Sequence, residues 1–465
     1  MKNVILITVD CLRSDRCGFN GHHRDTTPTL DKLATNSLIY DRCYATGPYT
    51  TESFPGMMAG QHSFNGTQYG DNVAYKALSS DTPTLATELS ANGYETAAVI
   101  SNPHLTANRN FNRGFGLFTN YRSEDNDDHD NNSGFNLGSK MYALREKMRN
   151  QPTQYNPLSL LYVLHRYRQL KTEWPTTDAA DIVNEAERVI QQFGEKQAPF
   201  FLWTHFMDVH APISPDRGDA AGLTSVPTLR SLHWDASRAG RFFEPNYETL
   251  YDSAVRYVDN QIRRVVEQLR EIGELEETVI IVTGDHGEIL FDRNEVYGHP
   301  PHYHYDELLQ VPLLVYDTDG PSERIRTPVS LAWLHELIAE LTDISLTGLP
   351  SESGLESIRA EGDPNHIISD TLDETGHTVS IRDSTHKVIL HNSFQDNQIE
   401  WEYRSEPSCF NYQQDPAERV GIDDIPEALL KEGERRINEE GNLPEMQGEF
   451  SAQTEQRLQD LGYKM

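Results

Sequence analysis

Polar residues with the chemistry of metal ligands follow two apolar runs of this sequence. The run Val4–Val9 ends in Asp10, and the run Val279–Thr283 is followed within three positions by Asp285 and His286. A carboxylate at the end of a buried strand is a good ligand for a hard cation, and a carboxylate beside an imidazole can hold one divalent ion. Asp10 alone could equally cap a helix, whereas the Asp285–His286 pair favours a metal site.

A hydroxyl-rich segment is a candidate for contact with an anion. It runs from Thr50 to Gly60 and reads T-T-E-S-F-P-G-M-M-A-G. If a helix begins at Thr50, its free N–H groups and its dipole favour an incoming anion. The alternative is an ordinary hydroxyl cap, which would be preferred if this segment stood alone.

Three more titratable side chains follow a third apolar run, Phe200–Thr204. They are His205, Asp208 and His210. Packing alone does not explain three such residues so close together after a strand. One buried, hydrogen-bonded histidine is still expected here, and His205 is the better candidate for that role.

These runs belong to an alternation of strand and helix patterns along the first three quarters of the chain. The alternation predicts an α/β fold with a central, mostly parallel sheet flanked by helices, in which ligands bind at the carboxyl ends of the strands. The predicted strands are Val4–Val9, Thr96–Ile100, Phe200–Thr204, Val279–Thr283 and Val311–Tyr316, and the predicted helices are Thr82–Asn92, Ala179–Gln192, Tyr247–Ile272 and Ser330–Leu341.

The pattern changes after about residue 348. Short alternating segments at Thr378–Arg382 and Lys387–Leu390 predict a small antiparallel sheet, and Pro426–Glu439 predicts a last helix. We therefore expect a catalytic α/β domain over residues 1–347 and a C-terminal α+β subdomain with a polar tail over residues 348–465. Residues 123–136 and 215–240 are expected to form loops.

The chain is strongly acidic. Its 465 residues include 40 Lys and Arg against 72 Asp and Glu, a net charge of −32. A nucleic-acid partner is excluded because such binding needs a basic surface. The acid excess fits either a solvated surface or a halophilic protein, in which salt screens the repulsion between like charges.

Neither the apolar runs nor the cysteines indicate export or membrane insertion. No segment approaches the ~20 apolar residues of a membrane span, and Val4–Val9 is too short for a signal peptide. The chain lacks a C-x-x-C pair, so structural thiols in a reducing compartment are expected. We predict a cytoplasmic protein without membrane insertion. The four cysteines are Cys11, Cys17, Cys43 and Cys409.

Taken together, these segments resemble the sulfatase family of the alkaline-phosphatase-like superfamily. The resemblance runs from Met1 to about Asp424, with its motifs in the family's order and spacing. It implies an α/β fold with a smaller C-terminal antiparallel sheet. The matching segments are Thr27–Ala34 (T-P-N-L-D-x-L-A in the family), Tyr251–Asp259, Thr278–Glu288, Tyr305–Leu313, Arg382–Lys387 and Tyr412–Glu418.

The resemblance also implies a cation site. Carried over by position, Asp10, Asp285 and His286 would bind one divalent ion that Thr50 also touches. The family usually has a second Asp where this chain has Cys11, a soft ligand in place of a hard one. One divalent ion, calcium, magnesium or manganese, is expected as the cofactor, and zinc stays open.

The nucleophile position departs from the usual family pattern. Typical sulfatases carry C-x-P-x-R, whose Cys is oxidised to formylglycine. Counting ten residues back from Gly60 gives Thr50 as the equivalent position, with Glu52 and Phe54 in place of the Pro and the Arg. The sequence is more similar to the threonine branch of the superfamily, which includes phosphodiesterases and phosphotransferases.

Further family positions fall on a substrate pocket. By resemblance, Asn102 stands where the family motif G-K-W-H-L has its Lys, and His104 stands where the motif has its His. His210 would contact the substrate oxyanion. His299, in Y-G-H, resembles a further substrate histidine, and it is the first choice for the residue that protonates the leaving alcohol. His302 and His304 are close enough in sequence to compete for a substrate-binding role.

The expected function is hydrolysis of a sulfate or phosphate ester on a small molecule or a glycan, through a covalent intermediate on Thr50. One alternative is a phosphodiesterase or phosphonate monoester hydrolase. Another is a transferase that passes the sulfo or phospho group to a glycan or lipid headgroup. A third is a noncatalytic descendant that binds an anion or a metal without turnover.

Overall fold

The computed structural model describes most of the chain. The described residues are 1–62, 67–69, 76–122, 174–196, 198–223, 244–293, 296–300, 302–350, 366–373, 376–395, 398–404 and 406–437. Of the predicted segments, 123–136, most of the loop 215–240 and the polar tail after residue 442 lie outside these ranges.

The strands fall into two sheets and two short ribbons. In chain order they are β1 (Asn3–Val9), β2 (Ser37–Tyr44), β3 (Thr67–Tyr69), β4 (Lys76–Leu78), β5 (Glu95–Ile100), β6 (Leu117–Asn120), β7 (Phe200–Phe206), β8 (Thr278–Gly284), β9 (Ile289–Leu290), β10 (Tyr297–Gly298), β11 (Gln310–Tyr316), β12 (Glu323–Ile325), β13 (Val329–Ser330), β14 (Ile367–Asp373), β15 (Gly376–Arg382), β16 (His386–Gln395), β17 (Gln398–Arg404) and β18 (Ser408–Asn411).

The helices lie mostly between the strands of the larger sheet. In chain order the α-helices are α1 (Pro28–Ala34), α2 (Thr50–Ala59), α3 (Leu85–Ala91), α4 (Ala179–Gly194), α5 (Pro215–Ala220), α6 (Glu244–Ile272), α7 (Asp306–Leu309), α8 (Leu334–Thr342) and α9 (Glu427–Ile437). Within the described ranges, no helix is both long and apolar enough to cross a membrane.

The larger sheet has the strand order β12-β2-β11-β8-β1-β7-β5-β6, with β13 beside β2. Strands β8, β1, β7, β5 and β6 run parallel, and β11 runs antiparallel to both of its neighbours. The expected α/β architecture with a mostly parallel sheet is therefore confirmed. Five predicted strands are present, and the one at Val311–Tyr316 has the opposite direction to the rest.

Both faces of this sheet are buried, and the residues of β1 show how. Val4 and Leu6 pack into one hydrophobic core with helices α2, α3 and α8. Ile5, Ile7 and Val9 point to the other face and pack with α1, α4 and α6. Successive side chains of a strand alternate between faces, so a continuous apolar run is required where helices cover both.

The smaller sheet has the order β14-β15-β16-β17, with β18 beside β16, and all of its pairings are antiparallel. Helix α9 covers it, and Leu429 and Ile437 pack there against Val379 and Leu390. The predicted C-terminal antiparallel sheet is confirmed. The division of the chain at residue 347 stays a prediction.

The register of the parallel strands places their carboxyl ends side by side. Val9 of β1 lies opposite Gly284 of β8 and Phe206 of β7, and Ile100 of β5 lies opposite His205. The residues that leave these strands therefore meet at one edge of the sheet, where ligands bind in open α/β folds.

Candidate active site

Asp10, Thr50, Asp285 and His286 lie together at this edge, and all four are almost completely buried. The Thr50 hydroxyl donates to Asp285 Oδ2 at 3.1 Å and lies 3.4 Å from Asp10 Oδ2. His286 Nε2 lies 3.7 Å from one oxygen of each carboxylate. The four residues expected to surround one ion are thus brought together from three distant parts of the chain.

Helix α2 presents Thr50 at its first residue, after Tyr49 as the cap residue. The Ser53 hydroxyl donates to the carbonyl of Asp285 at 2.6 Å, which ties the first turn of the helix to the end of β8. Gly60 ends the helix in a left-handed conformation with φ 64°. The N-terminal end of α2 therefore lies at the cluster, and the N-terminus of a helix favours an anion.

The two carboxylates and the imidazole fit a divalent cation. Ligand atoms of Asp10, Asp285 and His286 lie within 4.8 Å of one another. His286 Nδ1 bonds the carbonyl of Gly287 at 2.8 Å, whereas its buried Nε2 has no hydrogen-bond partner among the described residues. Oxygen and imidazole donors facing one point, with an unsatisfied nitrogen aimed at it, suit a bound metal ion.

The carboxylates perturb one another and the imidazole. Burial raises the pKa of Asp285, and the negative charge of Asp10 raises it further. Burial opposes ionisation of Asp10 as well, but the histidines beside it, His210 foremost, bring its net pKa below the usual value. Burial lowers the pKa of His286, but the two aspartates outweigh it, so its pKa is raised. The cluster attracts positive charge.

His205 is buried and hydrogen-bonded as expected, but it also belongs to the site. Its Nδ1 pairs with the Thr8 hydroxyl at 2.9 Å, and its Nε2 lies 3.3 Å from Asn102 Nδ2. Asn102 donates to Asp10 Oδ2 at 3.1 Å, and His205 Nε2 lies 3.5 Å from the same oxygen. Both residues therefore hold the Asp10 carboxylate in place, a role that their residue types alone did not indicate.

His210 and His299 lie beside this cluster. Their ring centroids are 5.1 Å apart, and those of His299 and His286 are also 5.1 Å apart. His299 Nδ1 pairs with the buried Glu288 carboxylate at 3.1 Å. Tyr49 packs edge-on against His299 with centroids 5.2 Å apart. The structure thus brings both predicted histidines to the cluster and adds Glu288, which the motif D-H-G-E already contained.

His104 is buried next to Arg109, a positively charged residue that the sequence patterns did not indicate. Its Nδ1 pairs with Arg109 Nη1 at 2.8 Å, and its backbone N–H donates to Asn102 Oδ1. Burial lowers the pKa of His104 well below its usual value, and the Arg109 charge lowers it further. His104 is therefore a neutral imidazole held by Arg109.

His302 and His304 point to the C-terminal sheet. His302 pairs with Thr378 at 2.6 Å and with Asp373 at 3.0 Å. His304 pairs with Ser380 at 3.0 Å and with Thr371 at 2.9 Å. The structure therefore brings His299, but not these two histidines, to the Asp10 cluster, because the chain between them turns onto strands β14 and β15.

Cys11, the residue in place of a second aspartate, lies in the cluster. Its thiol donates to Asp10 Oδ1 at 3.1 Å. Burial raises the pKa of Cys11 well above its usual value, and the charges of Glu288, Asp10 and Asp285 raise it further. All four cysteines are buried and none forms a disulfide.

Comparison with known proteins agrees with the motifs. A sequence profile described as Sulfatase matches residues 2–344. The chain is 23% identical to an arylsulfatase of Clostridium perfringens over 486 aligned positions, which cover 94% of this chain and 95% of that protein.

Solved structures share the fold at low sequence identity. The structure of Ps i-CgsB in complex with k-i-k-neocarrahexaose superimposes with a TM-score of 0.64 at 18% identity and covers 99% of this chain and 98% of that one. The phosphonate monoester hydrolase of Agrobacterium radiobacter superimposes with a TM-score of 0.63 at 17% identity and covers 94% of both chains.

Proposed function

This chain belongs to the sulfatase family of sulfate and phosphate ester hydrolases, and from that premise we propose that it is metal-dependent and attacks its substrate with Thr50. The observation that carries the proposal is the position of Thr50 Oγ1, 3.1 Å from Asp285 Oδ2 and 3.4 Å from Asp10 Oδ2. A hydroxyl between two buried carboxylates, at the first residue of a helix, is suited to nucleophilic attack on an anion.

Asp10, Asp285, His286 and Thr50 would hold the divalent ion. When bound, such an ion lowers the pKa of a coordinated hydroxyl and polarises the ester's non-bridging oxygens. Within the protein, the Thr50 hydroxyl already donates to Asp285 Oδ2, so a carboxylate is in place to accept its proton. Asn102 and His205 keep Asp10 oriented towards Thr50.

In the first half of the reaction, Thr50 Oγ bonds to the sulfur or phosphorus atom while the bond to the leaving-group oxygen breaks in line. His210 and His104 are proposed to stabilise the equatorial oxygens, together with the backbone N–H groups of the first turn of α2. Asn102 was expected to share this role; its contact with Asp10 adds a positioning role.

His299 is the proposed general acid. Its Nδ1 is held by the buried Glu288 carboxylate. Burial raises the pKa of Glu288, but the hydrogen bond and charge of His299, with His210 and the Cys11 thiol, together bring the net pKa below the usual value, so Glu288 stays ionised. The carboxylate holds the His299 ring in place, and we propose that this imidazole gives a proton to the leaving oxygen. Water or another alcohol then attacks the threonine ester.

We favour phosphate esters, phosphodiesters and phosphonate monoesters over sulfate esters. A formylglycine ester can collapse by elimination from its second hydroxyl, whereas a threonine ester must be released by attack at sulfur or phosphorus. Position 50 carries threonine. For the rest of the substrate, a small molecule or a glycan is proposed, since two structures of this fold are complexes with a neocarrahexaose and with D-glucosamine-2-N,6-O-disulfate.

A transferase is the second candidate. The Kdo(2)-lipid A phosphoethanolamine 7''-transferase of Salmonella typhimurium is 35% identical over 69 residues, which is 15% of this chain and 12% of that protein. A transferase would release the group onto a glycan or lipid headgroup. Formation of a phosphorylated acceptor in place of free phosphate would identify it.

The proposal is tested with two substitutions of Thr50 and one matched control. Thr50→Ala should abolish turnover of aryl phosphate, phosphodiester, phosphonate and aryl sulfate substrates, and Thr50→Ser should retain part of it because the hydroxyl remains. The matched control is Thr51→Ala, which removes the hydroxyl of the next residue in α2 and should keep most of the activity. Wild-type rates in Thr50→Ala would eliminate Thr50 as the nucleophile.

The noncatalytic alternative is tested on the unaltered protein. Metal content and turnover are measured across magnesium, manganese, calcium and zinc, at low and high salt. Bound metal without turnover of any of the four ester classes would favour a binding protein.

A further inference from the structure

We propose that His302 is a positioning residue for His299, and that it acts through a chain of hydrogen bonds that ties this part of the protein to the C-terminal sheet. The inference rests on the proposed function, in which His299 protonates the leaving group. His302 follows His299 by three residues, and its side chain contacts residues of strands β14, β15 and β16. It would act on the reaction without touching the substrate.

His299 has a fixed point on each side of it in the chain. Directly before it, Gly298 of β10 pairs with Ile289 of β9. After it, His302 has a φ of 64°, a left-handed value that is uncommon for a residue with a side chain. Such a conformation persists only where the surroundings impose it. The contacts of the His302 ring with the C-terminal sheet supply that constraint.

Four hydrogen bonds form one continuous chain across strands β14, β15 and β16. His302 Nε2 pairs with an oxygen of Asp373 at 3.0 Å, and His302 Nδ1 pairs with the Thr378 hydroxyl at 2.6 Å. The same hydroxyl pairs with His391 Nδ1 at 2.7 Å, and His391 Nε2 pairs with the Ser393 hydroxyl at 3.2 Å. Both nitrogens of both rings therefore have partners, which fixes the orientation of each ring.

The donors and acceptors along this chain have a consistent order. A carboxylate oxygen only accepts, so His302 Nε2 donates to Asp373. With a neutral His302, Thr378 donates to His302 Nδ1 and accepts from His391 Nδ1. Ser393 then donates to His391 Nε2. With a protonated His302, the Thr378 hydroxyl turns and the bonds beyond it reverse their direction. The chain is thus complete in both protonation states of His302, and the ring stays in place in both.

Both orders of the chain require a neutral His391, because one of its nitrogens must accept. Burial and then the neighbouring His302 lower the pKa of His391 to about 4, against the opposing charge of Asp373. His377 and His304 are further titratable groups near His302. The chain therefore holds His302 at neutral pH.

The position of His299 matters because a general acid must stay within hydrogen-bond reach of the oxygen that it protonates. The His299 ring lies against His210 and His286, with centroids 5.1 Å from each. A misplacement of about 1 Å can cost roughly 100-fold in rate. Cutting the hydrogen-bond chain at the C-terminal sheet should therefore slow the step that needs the proton of His299.

The test compares kcat for the 4-nitrophenyl and phenyl esters of the acid that the wild-type protein hydrolyses. The first leaving group needs little protonation and the second needs more. Thr378→Val keeps the shape of the side chain but removes the central hydroxyl, and it should slow the phenyl ester roughly tenfold or more and the 4-nitrophenyl ester by less than about threefold. Thr378→Ser is the matched control, since it keeps the hydroxyl and should keep both rates.

A second variant covers the case in which Thr378→Val fails to fold. Asn tolerates a left-handed φ but is too short to reach both Thr378 and Asp373, so His302→Asn should show the same selective loss for the phenyl ester. An equal loss for both esters, or no loss, in a folded variant would overturn the positioning role.

His299→Ala, measured in parallel, separates this inference from the proposed function. A selective loss for the phenyl ester in His299→Ala, without one in the Thr378 and His302 variants, would keep His299 as the general acid and overturn the role of His302. A His299→Ala variant with equal loss for both esters would remove the general acid, and the inference that depends on it would fall as well.

Discussion

Glu52 and Lys76 form an ion pair inside the protein, at the helix that carries Thr50. Glu52 lies in the first turn of α2 and Lys76 begins β4, and their side chains are 1% and 5% exposed. The second Glu52 oxygen accepts the Thr51 hydroxyl at 2.6 Å. The pair therefore fixes the start of α2 against the β4 ribbon.

We predict a large loss of stability when one partner is removed and a small one when both are removed. A single substitution leaves a buried charge without its partner, which costs about 3–5 kcal/mol of unfolding free energy. Replacing both residues by apolar side chains of similar volume is close to neutral. The double substitution should thus be more stable than either single one, with a coupling free energy of about 3 kcal/mol or more.

The assay is urea unfolding of Glu52→Met, Lys76→Met and the double variant, followed by fluorescence and circular dichroism. The matched control is Glu267→Met, which breaks the exposed pair with Arg263 on α6 and should change stability by only about 0.5 kcal/mol. A loss below about 1 kcal/mol in Glu52→Met, or a double variant as unstable as the sum of the two single ones, would contradict the argument.

Three further predictions concern solution conditions. Burial, with His302 and Arg436 nearby, lowers the pKa of His377 to about 3. Below about pH 6.5 the unfolded chain therefore binds a proton at His377, whereas the native state does not. The contribution of His377 to the free energy of unfolding is complete above that pH and decreases as the pH falls, by roughly 3 kcal/mol at pH 4. Urea unfolding at pH 7 and pH 4 should show a weaker pH dependence in His377→Gln. Removal of the metal by a chelator should lower the melting temperature because Asp10 and Asp285 then repel each other. The Asp285→Asn variant should therefore have a higher melting temperature than the chelated wild-type protein. Equal melting temperatures for these two proteins would argue against that repulsion. With a net charge of −32, the melting temperature should rise between about 0.01 M and 1 M salt as the Debye length shrinks from ~30 to ~3 Å, equally in NaCl and KCl; a rise in only one of them would indicate specific ion binding.

The strands that carry the site were predictable because both of their faces are buried. Val4–Val9 and Val279–Thr283 are continuous apolar runs, and parallel strands place their carboxyl ends together. A continuous apolar run does not, however, indicate in which direction the strand runs. The run Val311–Tyr316 looks like its neighbours in sequence but runs antiparallel in β11. Strand β2 (Ser37–Tyr44) was missed because Asp41 and Arg42 interrupt its apolar pattern.

The side-chain contacts of the site were less predictable than its position. Residue types predicted Asp10 and Asp285 as candidate metal ligands, but nothing in the spacing of Asn102 and His205 indicates that both orient Asp10. That contact depends on the register between β5, β7 and β1, which is a property of the folded sheet. The contacts of His302 could not be predicted from sequence patterns either, because its partners Thr378 and Asp373 lie more than 70 residues away in the chain.

The two residues that depart from the family pattern, Thr50 and Cys11, both contact the Asp10 carboxylate. Thr50, in place of the cysteine, lies 3.4 Å from Asp10 Oδ2, and Cys11, in place of an aspartate, lies 3.1 Å from Asp10 Oδ1. A threonine ester must be released by attack of water or an alcohol at sulfur or phosphorus, a step that a formylglycine ester avoids. Both replacements contact Asp10, a carboxylate that would hold the cation, and a bound cation would neutralise charge that develops on the ester oxygens during that attack. The two departures are therefore best understood as one change of chemistry, in which the metal environment was altered together with the nucleophile.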